Sequence, residues 1–269
     1  MENNKKRIEE LPSAIDCLEE LINEAESGNL AIFLDYDGTL TPIVDDPAKA
    51  LLDEQQRKVI KDLSTLCLVG IISGRDRADV AARVNINSLF YAGSHGYDIS
   101  GPSISYLHES GLECLPLLDK AEQELTERLK YISGAKVERK KFAIAVHYRH
   151  VAEEDVSLLL HEVNNILERY KGLKPGPGKL IMELKPAYDW HKGKALLWML
   201  EKVASDKSIY PIFIGDDQTD EDAFREIKSN GAGILVGDHG AMSDACYRLK
   251  NTDEVHVFLR KLKDYLKQF

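Results

Sequence analysis

Cysteine is scarce in this chain of 269 residues. The four thiols lie far apart and include no CxxC pair: Cys17, Cys67, Cys114 and Cys246. This spacing suggests neither a disulfide framework nor a zinc site. No apolar run approaches the roughly 20 residues that a membrane-spanning helix needs, and no signal-peptide pattern follows the charged N-terminus. We therefore expect a soluble, cytoplasmic protein that has no membrane partner.

Basic residues are in deficit as well. The chain has 35 lysines and arginines against 45 acidic residues, which gives a formal net charge of −10. Because a net negative protein is poorly suited to nucleic acid, we expect no nucleic-acid partner. Hydrophobic residues make up 43% and charged residues 30% of the chain, as in globular proteins.

Apolar runs and amphipathic segments alternate at both ends of the chain, which predicts strands followed by helices. The strands are predicted at 30–34, 68–72, 89–93, 211–214 and 233–236. The helices are predicted at 13–27, 54–66, 191–203, near 219–228 and from about 255. This alternation indicates an α/β fold with a doubly wound, Rossmann-like parallel sheet.

The middle of the chain interrupts this alternation and predicts a separate α+β unit. Helices are predicted at 113–133 and 153–170, strands at 135–139, 142–148 and 179–185, and a turn or loop at 174–178. The domain prediction is a core made of residues 1–107 and 188–269. Residues 108–187 are then an inserted cap domain over one edge of the core sheet.

Two aspartates directly follow the first predicted strand, in the segment Asp35-Tyr36-Asp37-Gly38-Thr39. Phosphoryl transfer needs an oxygen nucleophile and a proton donor for the leaving alcohol, and Asp35 and Asp37 can supply both. Gly38 permits the tight turn that directs them forward. The structural alternative is an ordinary Asp-Gly turn whose aspartate caps its own backbone.

A second acidic segment runs from Gly215 to Asp222, after another predicted strand. Magnesium prefers oxygen ligands, usually one or two carboxylates together with phosphate and water. The adjacent carboxylates of Asp216 and Asp217 repel each other unless a cation lies near them. Helix capping is the alternative, and it accounts for Asp222 and extends to Glu221.

Two further segments carry groups that suit a phosphate. Ser73-Gly74-Arg75 offers a hydroxyl and backbone amides at a helix start, although a serine there is by default a helix cap. Lys192 opens a predicted helix, where a positive charge is unfavourable, so a phosphate partner is a reasonable explanation. Because ligands bind beyond the carboxyl ends of the strands in a doubly wound sheet, we expect these segments to meet there.

Together, these segments resemble the haloacid dehalogenase superfamily of phosphohydrolases, with its four motifs in the family's order. The DxDGT motif corresponds to Asp35–Thr39, the serine motif to Ser73, the lysine motif to Lys192, and the acidic motif to the segment from Gly215. This resemblance implies phosphatase chemistry on a Rossmann-like core with an inserted cap.

Longer strings resemble the trehalose-6-phosphate phosphatase family from about residue 30 to 236. They are DYDGTLTPI at Asp35–Ile43, SGR at Ser73–Arg75, GSHG at Gly93–Gly96, the cap residues Val137, Glu138, Val146–Arg149, Gly178, Lys179, Glu183 and Pro186, and GDDQTDEDAF at Gly215–Phe224. Ser94 departs from the family pattern, which more often has asparagine there.

The resemblance implies roles for the acidic residues. Asp35 would be the nucleophile and a Mg²⁺ ligand. Asp37 would be the general acid and base, and would also bind the metal through its main-chain carbonyl. Asp216 would be the other carboxylate ligand, with either Asp217 or Asp220 supporting it.

The same resemblance assigns Ser73 and Lys192 to the transferring phosphoryl group. The predicted substrate-binding residues are Arg75, His95, Glu138, His147, Lys179 and Glu183. Lys179 and Glu183 are four apart on a predicted strand and therefore share one face, where fixed charged groups suit a polyhydroxylated ligand. A solvated strand face is the alternative for these cap residues.

We therefore expect a magnesium-dependent phosphomonoester hydrolase that converts trehalose 6-phosphate to trehalose and phosphate through an aspartyl-phosphate. Its partner would be a small sugar phosphate, and the protein would be a monomer. Three alternatives stay open: the same chemistry on sucrose phosphate, glucosylglycerol phosphate or another sugar phosphate, a phosphomutase of the same superfamily, and a non-catalytic sugar-phosphate sensor.

Overall fold

The computed structural model describes residues 5–25, 29–176, 180–203 and 209–268. The chain divides into two compact units, one made of Met1–Tyr106 and Trp190–Phe269 and the other of Leu107–Asp189. We call them the core unit and the inserted unit. The inserted unit begins one residue before and ends two residues after the limits predicted for the cap, 108–187.

Helices and strands alternate through most of both parts of the core unit, and each part also contains three strands in succession. Before the insertion they are β1 (Lys6–Arg7), α1 (Leu18–Asn23), β2 (Leu30–Leu34), α2 (Glu54–Leu63), β3 (Leu68–Ile72), α3 (Arg77–Val84), β4 (Phe90–Gly93), β5 (Asp98–Ser100) and β6 (Ser105–Leu107). The inserted unit contains α4 (Glu109–Leu129), β7 (Lys136–Lys140), β8 (Ala143–His147), α5 (Glu153–Arg169), β9 (Leu173–Gly176) and β10 (Ile181–Pro186). After it come α6 (Lys192–Val203), β11 (Tyr210–Gly215), α7 (Glu221–Ile227), β12 (Ala232–Val236), β13 (Met242–Ser243), β14 (Tyr247–Leu249) and α8 (Thr252–Leu266).

The core sheet has the strand order β14-β12-β11-β2-β3-β4-β5-β6. Neighbouring strands from β14 to β4 are parallel, and β5 is antiparallel to β4. Every residue of β2 is buried, as expected for a parallel strand that is covered on both faces. Ile32 packs in one apolar cluster with Phe258 of α8, and Phe33 packs in the other with Met199 of α6. These contacts confirm the predicted α/β, doubly wound fold.

The inserted unit is built on an antiparallel sheet of order β7-β8-β10-β9. Its helices α4 and α5 pack with alternate sheet residues such as Ile144, Val146 and Leu184 in one apolar cluster. The intervening positions lie on the other face, where Ala145 is in register with Glu138 on one side and Glu183 on the other. This unit has the α+β composition that the sequence predicts.

Two predicted elements differ from the structure. The helix predicted over 13–27 is only Leu18–Asn23 in the described residues, because Ser13 forms a bridge with Arg248 beside β14 instead. The turn predicted at 174–178 is partly wrong, since Leu173–Gly176 forms β9. Pro175 is tolerated there because β9 is an edge strand.

Among the described residues, no helix combines the length and apolarity needed to cross a bilayer.

Candidate active site

Three strand ends place the predicted catalytic segments next to one another. Strand β2 lies between β3 and β11 in the sheet. Asp35 follows β2, and its amide donates to the carbonyl of Ile214 at 2.9 Å. Ser73 follows β3, and Asp216 follows β11. The carboxyl edge of the sheet therefore carries all three groups, as the strand pattern predicts.

Lys192 lies between two carboxylates in the interior of this site. Its side chain is 3% exposed, and its ammonium donates to Asp35 Oδ1 at 2.9 Å and to Asp220 Oδ1 at 2.7 Å. Burial alone would lower the pKa of Lys192, but the facing charges of Asp220 and Asp35 outweigh it and hold that pKa well above its ordinary value. The residue is therefore a permanent cation at the base of the site.

Asp35, Asp216 and Asp220 form an acidic cluster. Each offers one carboxylate oxygen, and the three oxygens lie within 4.8 Å of one another. Burial raises the pKa of Asp35 to about 7 and that of Asp216 to about 7, and neighbouring carboxylates add to both shifts. A hard divalent cation would offset this repulsion, and carboxylate oxygens are the ligands that such a cation prefers. The residues present therefore fit a divalent metal.

Gly38 keeps space open beside this cluster. Its φ is +86°, a left-handed conformation that favours glycine. A Cβ atom at this position would lie 2.1 Å from Asp216 Oδ2. Thr39, the next residue, donates its hydroxyl to Asp216 Oδ1 at 3.4 Å. The DGT segment thus provides both the turn and a contact for the acidic cluster.

The two candidates for the supporting acid, Asp217 and Asp220, have different surroundings. Asp217 is exposed, and its Oδ1 accepts hydrogen bonds from the amide and hydroxyl of Thr219 at 2.8 and 2.7 Å. Asp220 is fully buried, and its Oδ2 accepts from the amides of Asp216 and Asp217 at 3.0 and 3.1 Å. Asp220 therefore lies in the cluster and holds the loop that carries Asp216. The metal-ligand role of Asp217 stays a prediction.

Asp37, the predicted acid and base, is held by Arg75 in a two-pronged ion pair. Arg75 Nε donates to Asp37 Oδ2 at 2.6 Å and Nη2 donates to Asp37 Oδ1 at 2.7 Å. Behind it, Nη1 donates to Asp79 Oδ2 at 2.9 Å. From the sequence, Arg75 was predicted to bind the substrate, and Asp79 was not considered. The i, i+4 spacing of Arg75 and Asp79 at the start of α3 could have predicted their contact.

The loop between β4 and β5 brings His95 to the same region. Its amide donates to the carbonyl of Ser73 at 2.9 Å, and its φ of +56° is left-handed. The ring lies against Gly74, where a Cβ atom would be 3.0 Å from the ring carbon Cε1. His95 is thus fixed to the serine segment, and its substrate-binding role stays a prediction.

In the inserted unit, the described members of the predicted sugar-binding set make side-chain contacts on one face of the sheet. Glu138 Oε2 lies 2.7 Å from His147 Nε2, and Glu183 Oε1 accepts from Lys140 Nζ at 2.5 Å. Lys140 was missed, although it is two residues from Glu138 and therefore on the same strand face. Lys179 lies outside the described residues.

Helix capping does not explain Glu221. Its carboxylate is buried, with Oε1 accepting from the Ser243 hydroxyl at 2.5 Å and lying 3.1 Å from His239 Nε2. Oε2 accepts from the Asp244 amide at 2.8 Å and from the Lys5 ammonium at 3.1 Å. Glu221 therefore ties the acidic motif to the N-terminal segment and β13. The sequence carries no signal for these contacts, which join distant segments.

Comparison with known proteins bears on the same segments. A sequence model of the trehalose-phosphatase family matches residues 33–252, which include both acidic motifs, the serine motif and the lysine motif. The chain belongs to the trehalose-phosphatase family. The match spans most of the core unit and the whole inserted unit.

Individual relatives agree with this family assignment. The Arabidopsis thaliana protein named "Probable trehalose-phosphate phosphatase E" is 41% identical over an alignment of 271 positions, which covers 96% of this chain and 77% of that protein. The C-terminal domain of C. albicans trehalose-6-phosphate phosphatase superposes with a TM-score of 0.79 over 95% of this chain and 99% of that chain, at 22% identity. A haloacid dehalogenase-like hydrolase from Bacteroides thetaiotaomicron gives 0.61 over 89% of this chain and 99% of that chain, at 16% identity. The last two likenesses concern the fold alone.

Proposed function

We propose that this member of the trehalose-phosphatase family hydrolyses trehalose 6-phosphate to trehalose and phosphate, with Mg²⁺ as its cofactor. The observation that carries the proposal is the buried set of Asp35, Lys192, Asp216 and Asp220 at the carboxyl edge of the sheet. A nucleophilic carboxylate, a fixed cation and oxygen ligands for a metal are the groups that phosphoryl transfer needs.

The proposed reaction has two steps. Asp35 attacks the phosphorus, the bond from phosphorus to the sugar oxygen breaks, and Asp37 gives its proton to that oxygen. Asp37 then takes a proton from water, and the resulting hydroxide attacks the aspartyl-phosphate to release phosphate and restore Asp35. Lys192 and Ser73 hold the phosphoryl oxygens during both steps.

Asp35, the main-chain carbonyl of Asp37 and Asp216 are the groups proposed to hold Mg²⁺, with Asp217 or Asp220 in support. When bound, the ion supplies positive charge that stabilises the developing negative charge on the phosphoryl oxygens. The support for a metal is the fit described above, in which three mutually repelling carboxylates lie within 4.8 Å.

We propose that Glu138, His147, Lys179 and Glu183 of the inserted unit bind sugar hydroxyls. The described members of this set are held by side-chain hydrogen bonds on one sheet face, and such groups can exchange partners with sugar hydroxyls. An E138Q variant should raise KM for trehalose 6-phosphate and leave the hydrolysis of 4-nitrophenyl phosphate unchanged, because that ester has no sugar. E127Q, at a surface glutamate that pairs with Lys130, is the matched control.

The experiment that tests the function is phosphate release with and without Mg²⁺. The panel contains trehalose 6-phosphate, sucrose 6-phosphate, glucose 6-phosphate and glucosylglycerol phosphate. We expect Mg²⁺-dependent release with a strong preference for trehalose 6-phosphate. Preference for another member would refute the substrate, a rearranged product that retains its phosphate would indicate a mutase, and no release from any member would favour a sensor.

The location and the oligomeric state of the protein are part of the proposal. The four cysteines are free thiols, as suits the reducing cytoplasm. We propose that the protein is cytoplasmic and monomeric, and light scattering of the purified protein tests the oligomeric state.

A further inference from the structure

We infer that Arg75 is a positioning residue that holds the ionised carboxylate of Asp37 for its base step, and does not itself bind the substrate. This inference rests on the proposed function, since it assigns a task within the same reaction. It starts from one contact, the ion pair between two side chains that are 38 positions apart in sequence.

The contact has the geometry that fixes an orientation. A guanidinium group and a carboxylate are both planar, and two parallel hydrogen bonds between them leave no free rotation of the carboxylate. Both oxygens of Asp37 are engaged, Oδ2 by Nε at 2.6 Å and Oδ1 by Nη2 at 2.7 Å. The side chain of Asp37 is 39% exposed, so the core packing around it would not fix its direction without Arg75.

Arg75 has little capacity left for a phosphate. Nη2 also donates to the carbonyl of Pro47 at 2.9 Å, and Nη1 donates to Asp79 at 2.9 Å. Four of its five N–H groups are therefore used within the protein, and its side chain is only 12% exposed. A residue that binds substrate would present its donors to the site, whereas these donors point to protein acceptors.

The guanidinium is itself held from behind. Arg83 Nε donates to both oxygens of Asp79 at 2.9 Å, and Arg83 Nη1 donates to the carbonyls of Ala48 and Ala50 at 3.2 Å. The Arg75 amide also donates to Ser73 Oγ at 3.1 Å. The chain of contacts thus links the general acid, the serine motif and the 47–50 segment, and it fixes Arg75 from three sides.

A double-mutant cycle between Arg75 and Asp37 separates positioning from substrate binding. The variants are R75M, D37N and the double variant, and the readout is steady-state turnover of 4-nitrophenyl phosphate with Mg²⁺. This ester has a good leaving group, which keeps turnover of D37N measurable, and it has no sugar. We expect R75M to lose about 10–100-fold, less than the roughly 10²–10⁴-fold that a positioned acid or base contributes, because Asp37 is displaced and not removed. The double variant should then match D37N within about 2-fold.

An additive loss in the double variant would overturn the inference, because Arg75 would then act independently of Asp37. R75K should lose nearly as much as R75M, since one ammonium cannot span both carboxylate oxygens. Inhibition by inorganic phosphate should stay within about 2-fold in R75M, and a 10-fold weaker inhibition would restore a substrate-binding role.

The matched control is R77M. Arg77 starts α3 and pairs with Asp98 at 2.6 Å, an ion pair of similar length that does not involve Asp37. Turnover of R77M should stay within about 2-fold of the wild type, and an equal loss would reduce the effect to a general disturbance of this helix start. Failure of trehalose 6-phosphate as a substrate would leave the cycle intact, whereas a wild type that hydrolyses no phosphate ester would refute both proposals.

Discussion

Replacing Asp35, the proposed nucleophile, should make the metal-free protein more stable. Asp35 is buried, and its pKa rises from 3.8 to about 7 because burial disfavours the charged carboxylate. Because the folded pKa lies above the unfolded one, the contribution of Asp35 to the free energy of unfolding is fully present below pH 3.8. This contribution is lost as the pH rises to about 7. At about 1.36 kcal/mol per pKa unit, this loss is about 4 kcal/mol above pH 7.

Asp35→Asn removes the ionisation and keeps the shape. The amide oxygen can still accept from Lys192, although an uncharged acceptor makes a weaker bond than a carboxylate. We therefore expect the free energy of unfolding to rise by about 1–3 kcal/mol at pH 8, less than the full shift implies, because the lost ion pair offsets part of the gain. At pH 4 the gain should vanish, since Asp35 is then protonated in the folded wild type.

The assay is urea unfolding in a chelator at pH 4 and pH 8, followed by circular dichroism. D264N, at an exposed aspartate beside Lys263, is the matched control and should change stability by no more than about 0.5 kcal/mol. Phosphatase activity should be lost in D35N and kept in D264N. If D35N is no more stable than the wild type at pH 8, the ionised carboxylate of Asp35 does not destabilise the folded protein, and the prediction is refuted.

Three further changes test other parts of the network. K192M leaves Asp35 and Asp220 without their cation, so urea unfolding in chelator at pH 8 should show a loss of about 3–5 kcal/mol, and adding D220N should recover part of it. The pKa of Glu221 is lowered from 4.5 to about 2, since hydrogen bonds to its ionised form outweigh the effect of burial. The stabilisation from Glu221 is therefore present above pH 4.5 and lost as the pH falls to about 2. E221Q should lower the free energy of unfolding by about 3 kcal/mol at pH 7 and should weaken its dependence on pH over that interval. G38A should lose most of its activity and more than about 1 kcal/mol of stability, as measured by phosphate release and urea unfolding. The reason is that the φ of Gly38 is +86° and the added Cβ would lie 2.1 Å from Asp216. Near-normal activity of G38A would contradict this close approach.

The strands of the core and the residues at their ends could be read from the sequence because one physical rule governs both. Parallel strands buried on both faces are continuous apolar runs, and the first polar residue after each run lies at the edge of the sheet. Leu30–Leu34 and Leu68–Ile72 therefore had correct bounds, and Asp35 and Ser73 followed from them. The rule needs no knowledge of the tertiary contacts.

The contacts between segments could not be read in this way. Beyond Gly215 the chain turns into a short helix, and neither the period of a strand nor that of a helix decides whether Asp217 or Asp220 points inward. In the structure it is Asp220 that points inward, because its carboxylate accepts hydrogen bonds from the amides of Asp216 and Asp217. The ion pair between Arg75 and Asp37 is likewise a property of the assembled sheet edge, since the two residues belong to different loops.

The charge balance of the assembled site explains why a divalent cation suits it. When Asp35, Asp216 and Asp220 are ionised around the ammonium of Lys192, two negative charges remain without a partner in a largely buried volume. In the absence of metal, burial and then the repulsion between the carboxylates raise the pKa values of Asp35 and Asp216 to about 7, so that protonation can remove this excess. A bound divalent cation would balance the two excess negative charges without protonation of a carboxylate, whereas a monovalent cation would leave one negative charge unbalanced. Metal binding at neutral pH would thus leave Asp35 ionised, the form that its proposed role as nucleophile requires.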